Sequence, residues 1–251
     1  MSFAPVAAQA FGAMAQEYQR GRPGWPAGAV AALVERFGAR DVLDLAAGTG
    51  KLTEVLAPVA DVVAVEPVDG MRRVLEARLP SVRVLAGTAE AIPLPDASVD
   101  AVFVAEAFHW FDLARAPAEI ARVLRPGGGL AVMWNMAGDD GEPWFDEMVA
   151  LVQEHRVAGG GEMRADTVAW REALEPRFGP LRDEEVAHAQ LTDRDGIVDQ
   201  IASFSSIGAL PLERRRVAVD AARALLVRYG VDAISLQYKA AITTGRRRDD
   251  G

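Results

Sequence analysis

A run of β-branched residues and leucine ends in an aspartate and passes into a glycine-rich turn in Val42-Leu43-Asp44-Leu45-Ala46-Ala47-Gly48-Thr49-Gly50-Lys51-Leu52-Thr53. The apolar run reads as a buried strand and the segment after it as the start of a helix. Glycine between them lets the backbone turn tightly and approach a ligand closely. A helix opening at Gly50 would present its first N–H groups to that ligand. Spacing separates the ligand classes that use such turns. A triphosphate-binding loop needs a glycine five residues before Gly50, where Leu45 stands, and Ser or Thr after Lys51, where Leu52 stands. That reading fails twice. A dinucleotide-binding loop needs a small residue three places after Gly50, where Thr53 stands, so that reading is weakened but open.

The surrounding sequence alternates short apolar runs with helical patterns, as a parallel α/β sheet does. Strands are expected over 40–45, 61–65, 82–86, 99–105 and 130–135, with helices over 50–57, 69–78 and 116–124. The last of these helices should end at Pro126 and the Gly127-Gly128-Gly129 turn. Beyond residue 140 the rhythm changes. Helices are expected over 142–156, 167–175 (stopped by Pro176), 193–204 and 212–229, and alternating patterns over 185–191 and 234–242 read as two more strands. Gly159-Gly160-Gly161 reads as a flexible break and 246–251 as a frayed tail. The second half therefore completes the sheet while adding helices to it, within one compact unit.

Composition narrows the function classes. Half of the 251 residues are hydrophobic and a quarter are charged, as in an ordinary globular protein. A net charge of -9 repels phosphate backbones and argues against a general nucleic-acid binder. With no cysteine, disulfides, Cys-ligated zinc and a thiol nucleophile are ruled out. His109, His155 and His188 show no metal-ligand spacing. No signal peptide is visible, and no apolar run approaches the ~20 residues of a membrane span, so a cytoplasmic protein without a membrane partner is expected.

Asp44-x-Ala46-x-Gly48-x-Gly50 resembles motif I, D-x-G-x-G-x-G, of class I S-adenosylmethionine (SAM)-dependent methyltransferases. SAM carries an ammonium, a carboxylate and a sulfonium but no pyrophosphate, so an acidic residue beside the turn makes electrostatic sense. Ala46 replaces the family's first glycine, adding one methyl at an expected ordinary φ. Gly87-Thr88-Ala89-Glu90-Ala91-Ile92-Pro93 resembles the family's G-D-A-E-x-L-P segment, with Thr88 in place of Asp. Ser98-Val99-Asp100 and Leu124-Arg125-Pro126-Gly127-Gly128 match its approaches to strands four and five. The segment Glu106-Ala107-Phe108-His109-Trp110-Phe111-Asp112 resembles the small-molecule enzymes of the type-11 methyltransferase domain group, including those like trans-aconitate methyltransferase. Upstream, Phe11-x-x-x-Ala15-x-x-Tyr18-x-x-x-Arg22-Pro23-x-Trp25-Pro26 resembles the segment that closes over SAM in that group.

The resemblance implies a Rossmann-like, open, mostly parallel seven-stranded sheet with helices on both faces, plus a helical cap. It divides the chain into an N-terminal lid (1–30), a SAM-binding core (31–140), a cap with the last two strands (141–245) and a tail (246–251). It places Asp44, Ala46, Gly48 and Gly50 at the aminoacyl end of SAM, Glu66 on the ribose hydroxyls, and Thr88 and Ala89 at the adenine. Tyr18, Arg22 and Ala105 complete the cofactor set, with Arg22 on a carboxylate of either SAM or an acidic acceptor. Methyl transfer is an in-line displacement, so alignment and exclusion of water matter most. A hydroxyl or carbon acid also needs a base, for which His109 is the first candidate and Glu106 the second, whereas a carboxylate needs none. Packing beside SAM is the competing role for His109. The acceptor is expected to be a small molecule, with O- or carboxyl-methylation favoured, held by the lid and by Trp144, Phe145, Met148, Trp170 and Phe204 of the cap. Two alternatives stay open: a non-catalytic SAM-binding protein and a nicotinamide-dependent oxidoreductase. The oligomeric state, monomer or homodimer, is also open.

Overall fold

A computed structural model describes residues 12, 14–138, 141–155 and 167–248. Two helices, α1 (Ala15–Gly21) and α2 (Ala27–Phe37), lead into β1 (Asp41–Leu45), α3 (Thr53–Leu56), β2 (Asp61–Val65), α4 (Asp69–Arg78), β3 (Arg83–Leu85) and β4 (Val99–Ala105). A 3-10 turn, Phe108–Trp110, precedes α5 (Ala116–Val123) and β5 (Leu124–Ala137). The second half contains α6 (Pro143–His155), α7 (Thr167–Phe178), β6 (Arg182–Asp193), α8 (Arg194–Ala202), α9 (Ser205–Gly208), α10 (Leu212–Arg228) and β7 (Ala233–Arg246). The sheet order is β3-β2-β1-β4-β5-β7-β6, and the direction reverses where β7 pairs with β5. Order also reverses between β1 and β4, which opens a crevice at the carboxyl ends of these strands.

The period of two along each strand sorts side chains between two layers. Leu43, Leu45, Val102 and Val104 pack with Ile120 and Val123 of α5 and with Trp170, Leu174 and Phe178 of α7. Val42, Ala101 and Phe103 pack the other way, on Val30, Leu33 and Val34 of α2 and Leu52 and Leu56 beside and within α3. Helices α6, α8 and α10 form a third cluster around Trp144, Met148, Ile197, Ile201, Ala222 and Leu226, seated on Leu236 and Tyr238 of β7.

Several elements depart from the sequence reading: α2 has no counterpart in it, the helix expected over 193–204 breaks after Ala202, β6 and β7 run longer than 185–191 and 234–242, and further differences have clear local causes. The helix expected over 50–57 is only the four residues of α3, because Gly50 at φ 87° keeps the chain in a turn. It offers no extended helix N-terminus to a ligand. The helix expected to stop before Pro176 carries that proline inside its last turn, at the cost of the backbone bond that an N–H there would donate to the Glu172 carbonyl. β5 starts at Leu124 rather than 130, with a register shift, since Val99 pairs with Leu124 while Ala101 pairs with Gly129. Arg246 to Arg248 are tied down instead of frayed: Arg246 donates to the carbonyls of Gly127 and Arg36, and the backbone N–H groups of Arg247 and Arg248 reach Gly128 and Arg177. The Gly159-Gly160-Gly161 break and residues 249–251 lie outside the described residues.

The aspartate of Ser98-Val99-Asp100 staples the far end of the sheet. Its Oδ2 accepts the backbone N–H of Arg40 (2.9 Å) and Asp41 (2.8 Å), and its Oδ1 accepts from Arg125 (2.6 Å). Burial opposes the charge, but these donors hold the carboxyl below its ordinary pKa. Asp100→Ala should therefore cost about 2–3 kcal/mol, the range for bonds to a charged group, measured by urea denaturation at neutral pH.

Candidate active site

Two adjoining chambers open at the carboxyl ends of β1, β2 and β4. The inner one runs from Gly48 and Glu66 past Val68 and Met71 to Thr88, Ala89 and Phe111. The outer one is bounded by Asp44, Arg22, Trp25, Lys51, Asn135, Gln200, Phe204 and Tyr238. Tyr18, Ala46, Gly48, Ala105 and Glu106 line both.

Alternation along β1 turns Asp44 toward α3, where Oδ2 accepts from the Thr53 hydroxyl at 2.6 Å. Oδ1 is buried with no hydrogen-bond partner, and the residue is 1% exposed. Glu66 follows β2 and is 4% exposed. Its Oε2 accepts the Gly48 N–H (2.8 Å) and its Oε1 the Val68 N–H (2.9 Å), so one carboxylate fixes both the glycine turn and the start of α4. Burial pushes both acids up to about 7, against the partial relief of their hydrogen bonds.

Within the turn, Ala46 has φ 60°, contrary to the ordinary φ expected for it. Alanine here adopts the conformation of the glycine it replaces, at a cost of roughly 1–2 kcal/mol. Gly48 has φ 59°, and a Cβ built there faces open cavity, with only the Tyr18 ring near, at 4.0 Å. Gly50 stands back from both chambers. A Cβ there would meet Leu75 of α4 at 2.9 Å, so this glycine serves packing of helix against turn.

Thr88 and Ala89 lie together on the inner wall, and the neighbouring Glu90 accepts the Asp112 N–H at 2.9 Å. Arg22 lies between two rings, 5.1 Å from Tyr18 and 4.9 Å from Phe204, and donates from Nε to the Ser203 hydroxyl at 2.9 Å. His109 lines neither chamber among the described residues. The 3-10 turn directs its ring against Trp110 (4.8 Å) and Trp134 (5.3 Å), and its Nδ1 is buried without a partner. Burial, and then the charge of Arg22, lower its pKa to about 4, not the near-neutral value expected of a base. Trp144 and Met148 fill the cap's own core and Trp170 the core under α7; among the described residues, Phe204 is the one of the five expected acceptor-site residues that lines either of these two chambers.

The outer wall also contains residues that sequence reasoning missed. Asn135 donates to the Gly24 carbonyl (3.0 Å) and bonds His188 through Oδ1 (2.7 Å). The Gln200 amide and the Tyr238 hydroxyl bond each other at 3.0 Å, and Tyr238 stacks on His188. The alternating pattern placed Tyr238 on a strand, but nothing in it pointed to a cavity.

Comparison with known proteins agrees with this geometry. A family model described as a methyltransferase domain matches residues 43–132. An uncharacterized methyltransferase of Mycobacterium tuberculosis is 42% identical over 217 residues, covering 86% of this chain and 85% of that protein. The chain belongs to the class I SAM-dependent methyltransferases. A malonyl-[acyl-carrier protein] O-methyltransferase of Methylococcus capsulatus is 44% identical over 207 residues, covering 78% of this methyltransferase and 70% of that one. Among solved structures, a protein of Anaeromyxobacter dehalogenans described as a type II methyltransferase superposes with a TM-score of 0.70 at 27% identity, covering 91% of this chain and 99% of that one. A Haemonchus contortus phosphoethanolamine N-methyltransferase holding S-adenosylhomocysteine shares the fold at a TM-score of 0.51 and 16% identity, covering 88% and 53%. The nicotinamide alternative and the non-catalytic alternative are thereby set aside. The site suits the cofactor: a buried carboxylate oxygen of Asp44 without a partner and a second buried acid at Glu66 are matched to a ligand bearing two positive charges.

Because Asp44 and Glu66 titrate near 7, the methyltransferase without ligand carries both partly protonated below that pH. A cationic ligand favours their ionised forms. SAM affinity should accordingly rise from pH 5.5 to 8 and then level, with protons released on binding near pH 6.5. Calorimetry in two buffers of different ionisation enthalpy measures both, and Asp44→Asn should flatten the profile.

Proposed function

We propose that the inner chamber holds the adenosine half of SAM, that the region around Asp44 holds its aminoacyl half, and that the acceptor, a small molecule, enters through the outer chamber. The observation that carries this reading is the pair of chambers meeting at the glycine turn, with Glu66 bonded to Gly48 on the inner side and Asp44 on the outer. In this reading the free lone pairs of Glu66 accept the ribose hydroxyls, and Thr88 and Ala89 border the adenine. Ala46, Gly48 and Ala105 supply close backbone, while Tyr18 and Arg22 cover the aminoacyl end. SAM supplies a methyl already activated on a sulfonium. The protein's own work is to align the acceptor with that methyl and to keep water out. His109, neutral and packed between two tryptophans, supports the wall and is not the base. The malonyl-acyl-carrier O-methyltransferase relative favours an oxygen or carboxyl acceptor, and the hydrogen-bonding outer wall of Asn135, Gln200 and Tyr238 suits a polar one. A screen with radiolabelled SAM, read by mass spectrometry of the product, tests the acceptor class.

Gly48→Val should abolish SAM binding in a folded protein, because the side chain would occupy the space that faces the cavity. Unchanged affinity in a variant with normal circular dichroism would refute the placement of the cofactor.

The N-terminal segment acts as the lid. Gly21 of α1 lies so close to α8 that a Cβ would come within 2.1 Å of the Gln200 nitrogen, and Arg20 pairs with Asp199 at 2.6 Å. On the core side the Gln19 amide lies between the Thr49 hydroxyl (2.6 Å) and the Arg78 guanidinium (3.0 Å). Helix α1 thus spans both walls with Tyr18 beneath it, and it must lift for the cofactor to pass. Hydrogen exchange should show added protection in residues 14–22 and 194–204 when S-adenosylhomocysteine binds, while β1 and β4 change little.

A further inference from the structure

The sulfur of SAM joins its adenosyl half to its aminoacyl half. On the reading proposed above, on which this inference rests, it lies where the inner and outer chambers meet. Five residues line both chambers there, and Glu106 is the one acid among them. The fold places it at a cost. Glu106 follows β4 with φ 56°, a region that glycine enters freely and glutamate does not. Its N–H donates to the Met133 carbonyl at 2.9 Å and its carboxylate accepts the Asn135 N–H, so backbone and side chain are both fastened to β5. The glutamate side chain is held at the site against that backbone preference.

We propose that Glu106 selects the charged donor: its carboxylate recognises the positive sulfonium of SAM and so favours SAM over the neutral product S-adenosylhomocysteine. During transfer the sulfur–methyl bond breaks with its electron pair left on sulfur, and a new bond forms between the methyl and the acceptor. Sulfur passes from positive to neutral. The attraction to Glu106 is lost at that moment, which promotes product release. The acceptor's identity does not enter the argument.

The test compares three ligands by calorimetry: SAM, S-adenosylhomocysteine, and sinefungin, whose amine places a positive charge beside the sulfur position. Glu106→Gln keeps an oxygen for the Asn135 N–H and removes the charge. It should weaken SAM and sinefungin by about tenfold, as loss of one charge contact at partly screened range does, and leave S-adenosylhomocysteine within about twofold. Glu106→Gly, which suits the left-handed φ, secures a folded variant with the same expectation. Equal weakening of all three ligands, or no change in any, would overturn the proposal. Wild-type protein that bound neither SAM nor S-adenosylhomocysteine would overturn the cofactor placement itself and this inference with it.

Discussion

Glu66 sits where β2 ends, and its two carboxylate oxygens take the backbone N–H groups of Gly48 and Val68. The turn is tied to β2 and α4 by other bonds as well, since the Ala47 N–H reaches the Val65 carbonyl and Arg78 of α4 donates to the Thr49 carbonyl. Glu66 adds the link between the Gly48 N–H and the start of α4. A carboxylate is suited to the task because it can accept four hydrogen bonds while the backbone uses two, which leaves capacity for a ligand's hydroxyls. Burying it is costly, and the rise of its pKa to about 7 is the sign of that cost. Asp44, one strand over, is in the same position, with Oδ1 buried and unbonded. On the placement proposed above, a cationic cofactor relieves the cost of burying these two acids, and part of its binding energy is electrostatic and built into the fold.

The rest of the site is arranged around that pair. Positive φ at Ala46 and Gly48 brings backbone against the ligand space, while Gly50 lets α4 pack under the turn. On the proposed placement, the Rossmann-like half, β1 to β5, supplies most of the cofactor side, and the chamber assigned to the acceptor is composite: Asn135 comes from the far end of β5, Tyr238 from β7, Gln200 and Phe204 from and just after α8, and Arg22 from the end of α1. Reversal of strand direction at β7 brings these together, since an antiparallel strand beside β5 carries its own early residues to the ligand end of the sheet. On that placement, acceptor choice can vary through cap residues without disturbing Asp44, Gly48 or Glu66.

Local pattern was sufficient for much of this. The bounds of β2, α4 and β4 follow directly from the sequence, because a buried strand or an amphipathic helix records its period in successive residues. Motif I was legible for the same reason: a turn and the acid before it are contiguous, and their chemistry restricts the ligand. Strand-end logic then gave Glu66 and the Thr88-Ala89 pair. Other features were not legible. The left-handed φ of Ala46 and Glu106 leaves no mark in a one-dimensional pattern, since both residue types ordinarily avoid it. His109 read as a base because its position past β4 was right and its ring orientation was unknown. Trp144, Met148 and Trp170 read as pocket residues because aromatic and apolar side chains suit a core and a cavity equally.

The sequence by itself determined the parallel α/β core, the cofactor class and the acids at the ends of β1 and β2, because each rests on residues adjacent in the chain or at matching strand ends. Tertiary structure alone decided the outer wall of Asn135, Gln200 and Tyr238, the contact of His188 with it, and the placing of Glu106 at the junction of the chambers. Those residues meet across β5, β7, β6 and α8, and no periodicity within one segment encodes which side chain of another segment it will face.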